Sequence, residues 1–149
     1  MKPQHSLAML IELGEHRRDE VAQRLAALNQ SHNAAQQQLT MLHEYRQDYA
    51  QRLLEAGQNG VAMSNYMNFQ RFIGTLDEAI QQQNTILGQL SEKISKEQAL
   101  WLEEKKRLHA YETLHARRQA EWQRTQARQE QRLNDEFSAA LFQRLHPTN

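Results

Sequence analysis

The chain has 149 residues, a formal net charge of zero, no cysteine, a hydrophobic fraction of 39% and a mean hydropathy of −0.88. Such a composition is too poor in apolar residues for an ordinary globular core. It excludes disulfides and cysteine metal sites, and no apolar run approaches the ~20 residues a membrane helix needs. The choice left is between disorder and a narrow apolar seam, and periodicity decides it. The short run Leu7-Ala8-Met9-Leu10-Ile11 ends at Glu12, unlike a signal peptide, so a soluble cytoplasmic protein is expected.

The two prolines, Pro3 and Pro147, lie at the ends, and one cluster between them, Gly57-Gln58-Asn59-Gly60, can stop a helix. The first helix is expected from about residue 4 to 56. With Val21 at heptad position a, the a positions read Val21, Leu28, Ala35, Leu42 and Tyr49. The d positions read Leu25, His32, Leu39, Arg46 and Leu53. His32 and Arg46 break the seam, although an arginine stem can lie along apolar surface. Upstream, Leu7, Leu10, Ile11 and Leu13 read as an apolar face of shifted phase, interrupted by Gly14.

A turn is expected at about 57–63, because Asn59 and Gly60 tolerate positive φ. Ser64 or Asn65 is expected to cap the second helix, from about 65 to 146. Its d positions are Ile73, Ile80, Leu87, Ile94, Trp101 and Leu108. Its a positions are Phe69, Leu76, Gln83, Leu90, Glu97, Glu104 and Tyr111. The fold class expected is therefore all-α: one domain, a long antiparallel two-helix coiled coil, satisfied within one chain as a monomer.

Antiparallel partners have residue numbers of near-constant sum, about 118 to 120 from the turn centre. That register pairs Leu42 with Leu76, Tyr49 with Phe69, Gln38 with Ile80 and Leu10 with Leu108. It leaves residues 115–149 overhanging. It also puts Tyr45 level with Phe72, both beside the a/d line. Gln38, Leu42, Tyr45 and Tyr49 form one stripe, matched by Phe72, Leu76, Ala79 and Gln83. These eight are either a seam broadened by its flanks or an exposed aromatic patch for a protein partner. In the overhang, Trp122, Phe137, Ala140, Leu141 and Leu145 have nothing opposite them, and Arg124, Arg128 and Arg132 form a basic row.

Charge is uneven. Residues 55–104 hold three basic and seven acidic side chains, and residues 105–132 hold eight basic and three acidic. The asymmetry marks an interaction end or a solvated face. The histidines lack metal-ligand spacing, no phosphate-binding loop follows Gly57 or Gly60, and a two-helix hairpin offers no enclosed pocket. Neither a cofactor nor a metal is expected, and the chain does not read as an enzyme.

The stretch Gln38-Leu39-Thr40-Met41-Leu42-His43-Glu44-Tyr45-Arg46-Gln47-Asp48-Tyr49 resembles the flagellar FliJ family. So do Asn59-Gly60-Val61-Ala62, Asn68-Phe69-Gln70-Arg71-Phe72-Ile73-Gly74-Thr75-Leu76-Asp77-Glu78-Ala79-Ile80, and Glu104-Lys105-Lys106-Arg107-Leu108. The likeness is strongest from 38 to 83 and extends weakly over most of the length. It implies a component of the flagellar type III export apparatus, an antiparallel hairpin similar to the coiled-coil γ stalk of rotary ATPases. Such proteins bind the export ATPase ring, contact the linker of the transmembrane export-gate protein and handle export chaperones. The resemblance carries the gate contact onto Gln38, Leu42, Tyr45, Tyr49, Phe72, Leu76 and Ala79, with Gln83 where some members have histidine. At the turn-distal end, Leu10, Leu13, Arg17, Lys105, Lys106, Tyr111 and Trp122 are the residues expected to meet the ATPase ring or another partner. It further implies a cytoplasmic protein peripherally associated with the inner-membrane flagellar base. Nucleic acid is not an expected partner. The competing readings are a basic coiled coil that binds nucleic acid or anionic surfaces, and a generic secretion-system scaffold.

Overall fold

The computed structural model describes residues 4–60 and 62–147. Two long helices pack against each other, α1 (Gln4–Gln58) and α2 (Met63–Leu145), and no strand occurs among the described residues. Neither helix contains a proline, and both are rich in alanine, leucine, glutamine, glutamate and arginine, which keep side-chain freedom in a helix.

The break between them is built from backbone. The Asn59 N–H donates to the Glu55 carbonyl at 2.9 Å, and Gly60 follows at φ 70°, the left-handed conformation that ends a helix without a Cβ clash. Val61 and Pro3 lie outside the described residues. The Ala62 carbonyl accepts from the Asn65 N–H at 3.0 Å and from the Tyr66 N–H at 3.2 Å. Ala62 therefore holds the cap position, and Ser64 and Asn65, expected to cap, already lie inside the first turn of α2. The capping residue has no side-chain oxygen, so nothing in its side chain could announce the start.

The paired helices make two compact units. One spans Asp19–Leu102 and includes the turn; the other is formed by α1 up to Arg18 with α2 from Glu103. In the first, Ala35, Leu39, Ile80 and Leu87 form a buried cluster, with Leu42 and Leu90 packed on it. Val21, Ala56 and Leu76 are also buried. These fall on the a and d positions read from the heptad, apart from Ala56, which extends the a line by one repeat. The two seam breaks find partners across the seam. His32 Nε2 lies 3.3 Å from Ser91 Oγ, and Arg46 donates to Asp77 through Nε and, at 3.5 Å, through Nη2. The hydrogen bond and charge of Asp77 raise the Arg46 pKa further above its usual value. Arg24 makes a comparable bond to Glu97, at 3.2 Å.

In the second unit, Leu7 and Leu108 are each 3% exposed and Gly14 is buried. Leu7 and Gly14, spaced by one heptad, are both buried, so the seam of this unit runs along their line. The shifted phase expected from Leu10 and Leu13 is not what the seam uses: they are 42% and 45% exposed. Leu108, expected to face Leu10, packs over Gly14, one turn along α1. The absent side chain at residue 14 makes the socket that Leu108 fills. Glu104 is 9% exposed in this unit and receives a bond from Arg107 at 3.5 Å.

Candidate functional site

The eight residues read as a flank divide by depth. Gln38, Tyr45 and Phe72 stand on the surface, with Tyr45 52% and Phe72 42% exposed. Leu42, Tyr49 and Ala79 are half-buried, and Leu76 and Gln83 lie in the seam. Tyr49 is the hub. Its ring centroid is 4.4 Å from that of Phe72 and 6.1 Å from that of Phe69, both tilted, a favourable aromatic arrangement. The Arg52 guanidinium sits 5.3 Å above the Tyr49 ring and is held by Asp48 at 3.4 Å.

Gln83 brings a polar group into this apolar layer. Its Nε2 donates to the Ala35 carbonyl at 2.9 Å and to Gln38 Oε1 at 3.2 Å. The bond to Gln38 ties a seam residue to a surface residue of the flank.

Sequence reasoning missed an open groove of about 680 Å³ beside the flank, towards the turn. Tyr49, Phe69 and Phe72 give it an aromatic wall, and Arg52, Asn65 and Asn68 give it a polar edge. The spacing of Asn65, Asn68 and Phe72 at i, i+3 and i+7 was the available signal, since it places all three on one helix face.

In the other unit, Leu10 and Leu13 share an exposed apolar strip with Met9, flanked by Glu12 and His16 along a shallow groove of about 570 Å³. Arg17, Lys105 and Lys106 are exposed, Tyr111 is half-buried, and Trp122 is 52% exposed. Every described residue from 127 to 147 is exposed. Phe137, Leu141 and Leu145, read as unpartnered, are among them, as are Leu133 and Phe142, which the sequence reading did not mark. The Phe142 ring stacks on His146 at 4.5 Å. Glu104 Oε2 and His115 Nδ1 are buried with no hydrogen-bond partner.

Among the described residues no group of three or more histidines or carboxylates could hold a metal ion, and no helix is long and apolar enough to cross a membrane. The arrangement is that of an α-helical hairpin whose chemistry lies on exposed aromatic and charged faces, which suits a protein that binds other proteins. The chain belongs to the flagellar FliJ protein family, which it matches over residues 3–146. It is 35% identical to the flagellar FliJ protein of Salmonella typhi over 133 residues, covering 89% of this chain and 90% of that one. It is 32% identical to the flagellar FliJ protein of Escherichia coli strain K12, over the same length and with the same coverage. No solved structure matches the chain.

Proposed function

We propose that this protein is a stalk of the flagellar type III export apparatus that couples the export ATPase ring to the transmembrane export gate and handles export chaperones. The observation that carries the reading is the flank around Tyr49, where Tyr45 and Phe72 remain exposed beside a packed seam. Exposed aromatics on a firm base are favourable anchors for a partner, because they give large contact area for little loss of side-chain freedom. The gate linker binds this flank. The turn-distal residues Leu10, Leu13, Arg17, Lys105, Lys106, Tyr111 and Trp122 serve the ATPase ring. An asymmetric hairpin inside a ring presents a different face to each subunit and so biases their states unequally. The protein works as a non-catalytic monomer in the cytoplasm, held at the inner-membrane flagellar base through its partners.

The test is the double variant Tyr45→Ala, Phe72→Ala, titrated against the cytoplasmic part of the gate protein. Binding is lost while the helical circular dichroism stays at the parent level. Unchanged binding refutes the assignment of the flank.

A second reading, binding of anionic surfaces, draws on the exposed row Arg124, Arg128 and Arg132 near the exposed Trp122. Affinity for DNA or for anionic lipid vesicles that falls steeply with salt would favour it over the stalk.

A further inference from the structure

We infer that Gln83 is a positioning residue, which acts on the partner contact through Gln38 and fixes what the partner must offer there. The inference rests on the reading of the flank as the gate-contacting surface.

A chain of hydrogen bonds runs outward from the seam, from Ala35 through Gln83 to Gln38. Gln83 is 8% exposed, too deep to present its amide to a protein laid on the surface. Its neighbour Ala35 offers a backbone carbonyl, which can only accept. The group 2.9 Å from that oxygen must therefore be the Gln83 Nε2, the donor end of the amide. An amide nitrogen carries two protons. The second points to Gln38, 3.2 Å away, and there it can only be received by an oxygen. The Gln38 amide is thus turned with Oε1 inward and Nε2 outward. A free glutamine on a helix surface presents either end. Here one backbone carbonyl, relayed through Gln83, selects the donor end.

The partner segment consequently supplies an acceptor oxygen at the height of Gln38, either a carboxylate or a carbonyl. Glutamine suits residue 83 because it is long enough to span the seam and carries two protons on one atom. Both protons are used, so the buried amide nitrogen is satisfied.

The experiment is calorimetric titration of the full chain with the cytoplasmic part of the gate protein, beside thermal unfolding of each variant. Gln83→Met keeps the length and removes both bonds. Gln38→Glu keeps an oxygen for Gln83 and replaces the outward nitrogen with a second oxygen. Each weakens binding roughly three- to tenfold, the effect of one hydrogen bond. Neither lowers the unfolding midpoint. In a Gln38→Ala background, Gln83→Met causes no further loss, because the residue it positions is gone. The salt dependence of Gln38→Glu separates the two sources of the acceptor. Against a carboxylate the loss shrinks as salt rises, and against a carbonyl it does not change. The proposal is overturned if Gln38→Glu binds like the parent, or if Gln83→Met weakens binding equally with and without Gln38. The Tyr45→Ala, Phe72→Ala variant reports on the flank itself. If it binds like the parent, the flank reading falls; if it fails to bind while Gln38→Glu binds normally, only the positioning role falls.

Discussion

Leu108 sits in the space left by the missing side chain of Gly14. A β-carbon at residue 14 would lie 3.2 Å from Leu108 Cδ1 and 3.8 Å from its Cβ. Gly14→Ala sets the helix gain of alanine, about 1 kcal/mol, against a close contact that the mobile end of a leucine can relieve. The net change in thermal stability is small. Gly14→Val cannot be relieved in that way and lowers stability by about 1–3 kcal/mol, the usual cost of overpacking. Thermal unfolding of the two variants checks the difference between them.

The glycines elsewhere respond in opposite senses. Gly60 holds φ at 70°, where a β-carbon meets the backbone, so Gly60→Ala destabilises by about 1–2 kcal/mol. Gly74 and Gly88 lie within α2 with open space around the place of a β-carbon. Gly74→Ala and Gly88→Ala each stabilise by about 1 kcal/mol. Denaturant titration of the three single variants measures these signs.

Tyr49 and Tyr45 separate stability from binding. Tyr49 holds both Phe69 and Phe72, so Tyr49→Ala costs roughly 1–3 kcal/mol of stability and disorders the flank as well. Tyr45 is 52% exposed, so Tyr45→Ala changes stability by no more than about 0.5 kcal/mol yet weakens gate binding. Parallel unfolding and titration experiments on the pair read out the two effects.

Glu104 occupies an a position, 9% exposed, with one carboxylate oxygen lacking a partner. A carboxylate in a seam loses hydration that a bond from Arg107 at 3.5 Å only partly replaces. Glu104→Leu is expected to raise stability by about 1–2 kcal/mol. A lower melting temperature for this variant would show that the charge is compensated within the fold.

Most of the seam was legible because a repeat of seven residues keeps one face of a helix turned towards its neighbour. Val21, Ala35, Leu39, Ile80 and Leu87 follow it directly. The reading failed where packing depends on something missing. Gly14 has no apolar side chain to be counted, so it looked like an interruption, while Leu10 and Leu13 looked like seam and face outward. The start of α2 failed for a related reason, since Ala62 caps with its carbonyl alone. At the flank, the a/d line left Tyr45 and Phe72 outside the seam, and both are exposed. That Tyr49 gathers both phenylalanines, and that Gln83 reaches Gln38 from inside, depends on side-chain rotamers that spacing does not set.

The cross-seam contacts of the turn-proximal unit have a further consequence for how it assembles. The chain separation they bridge grows steadily away from Gly60, from 31 residues at Arg46 and Asp77 to 48 at Ala35 and Gln83 and 73 at Arg24 and Glu97. Each rung that closes shortens the loop left for the next, so the entropic penalty is concentrated in the first closure and each later step adds little. The hairpin then closes like a zipper from the turn, and the aromatic flank is among the first surfaces completed. Substitutions at Gly60 should slow folding in stopped-flow measurements, while those at Arg24 should chiefly speed unfolding. A partner that recognises the flank could therefore engage a chain whose distant rungs are still open.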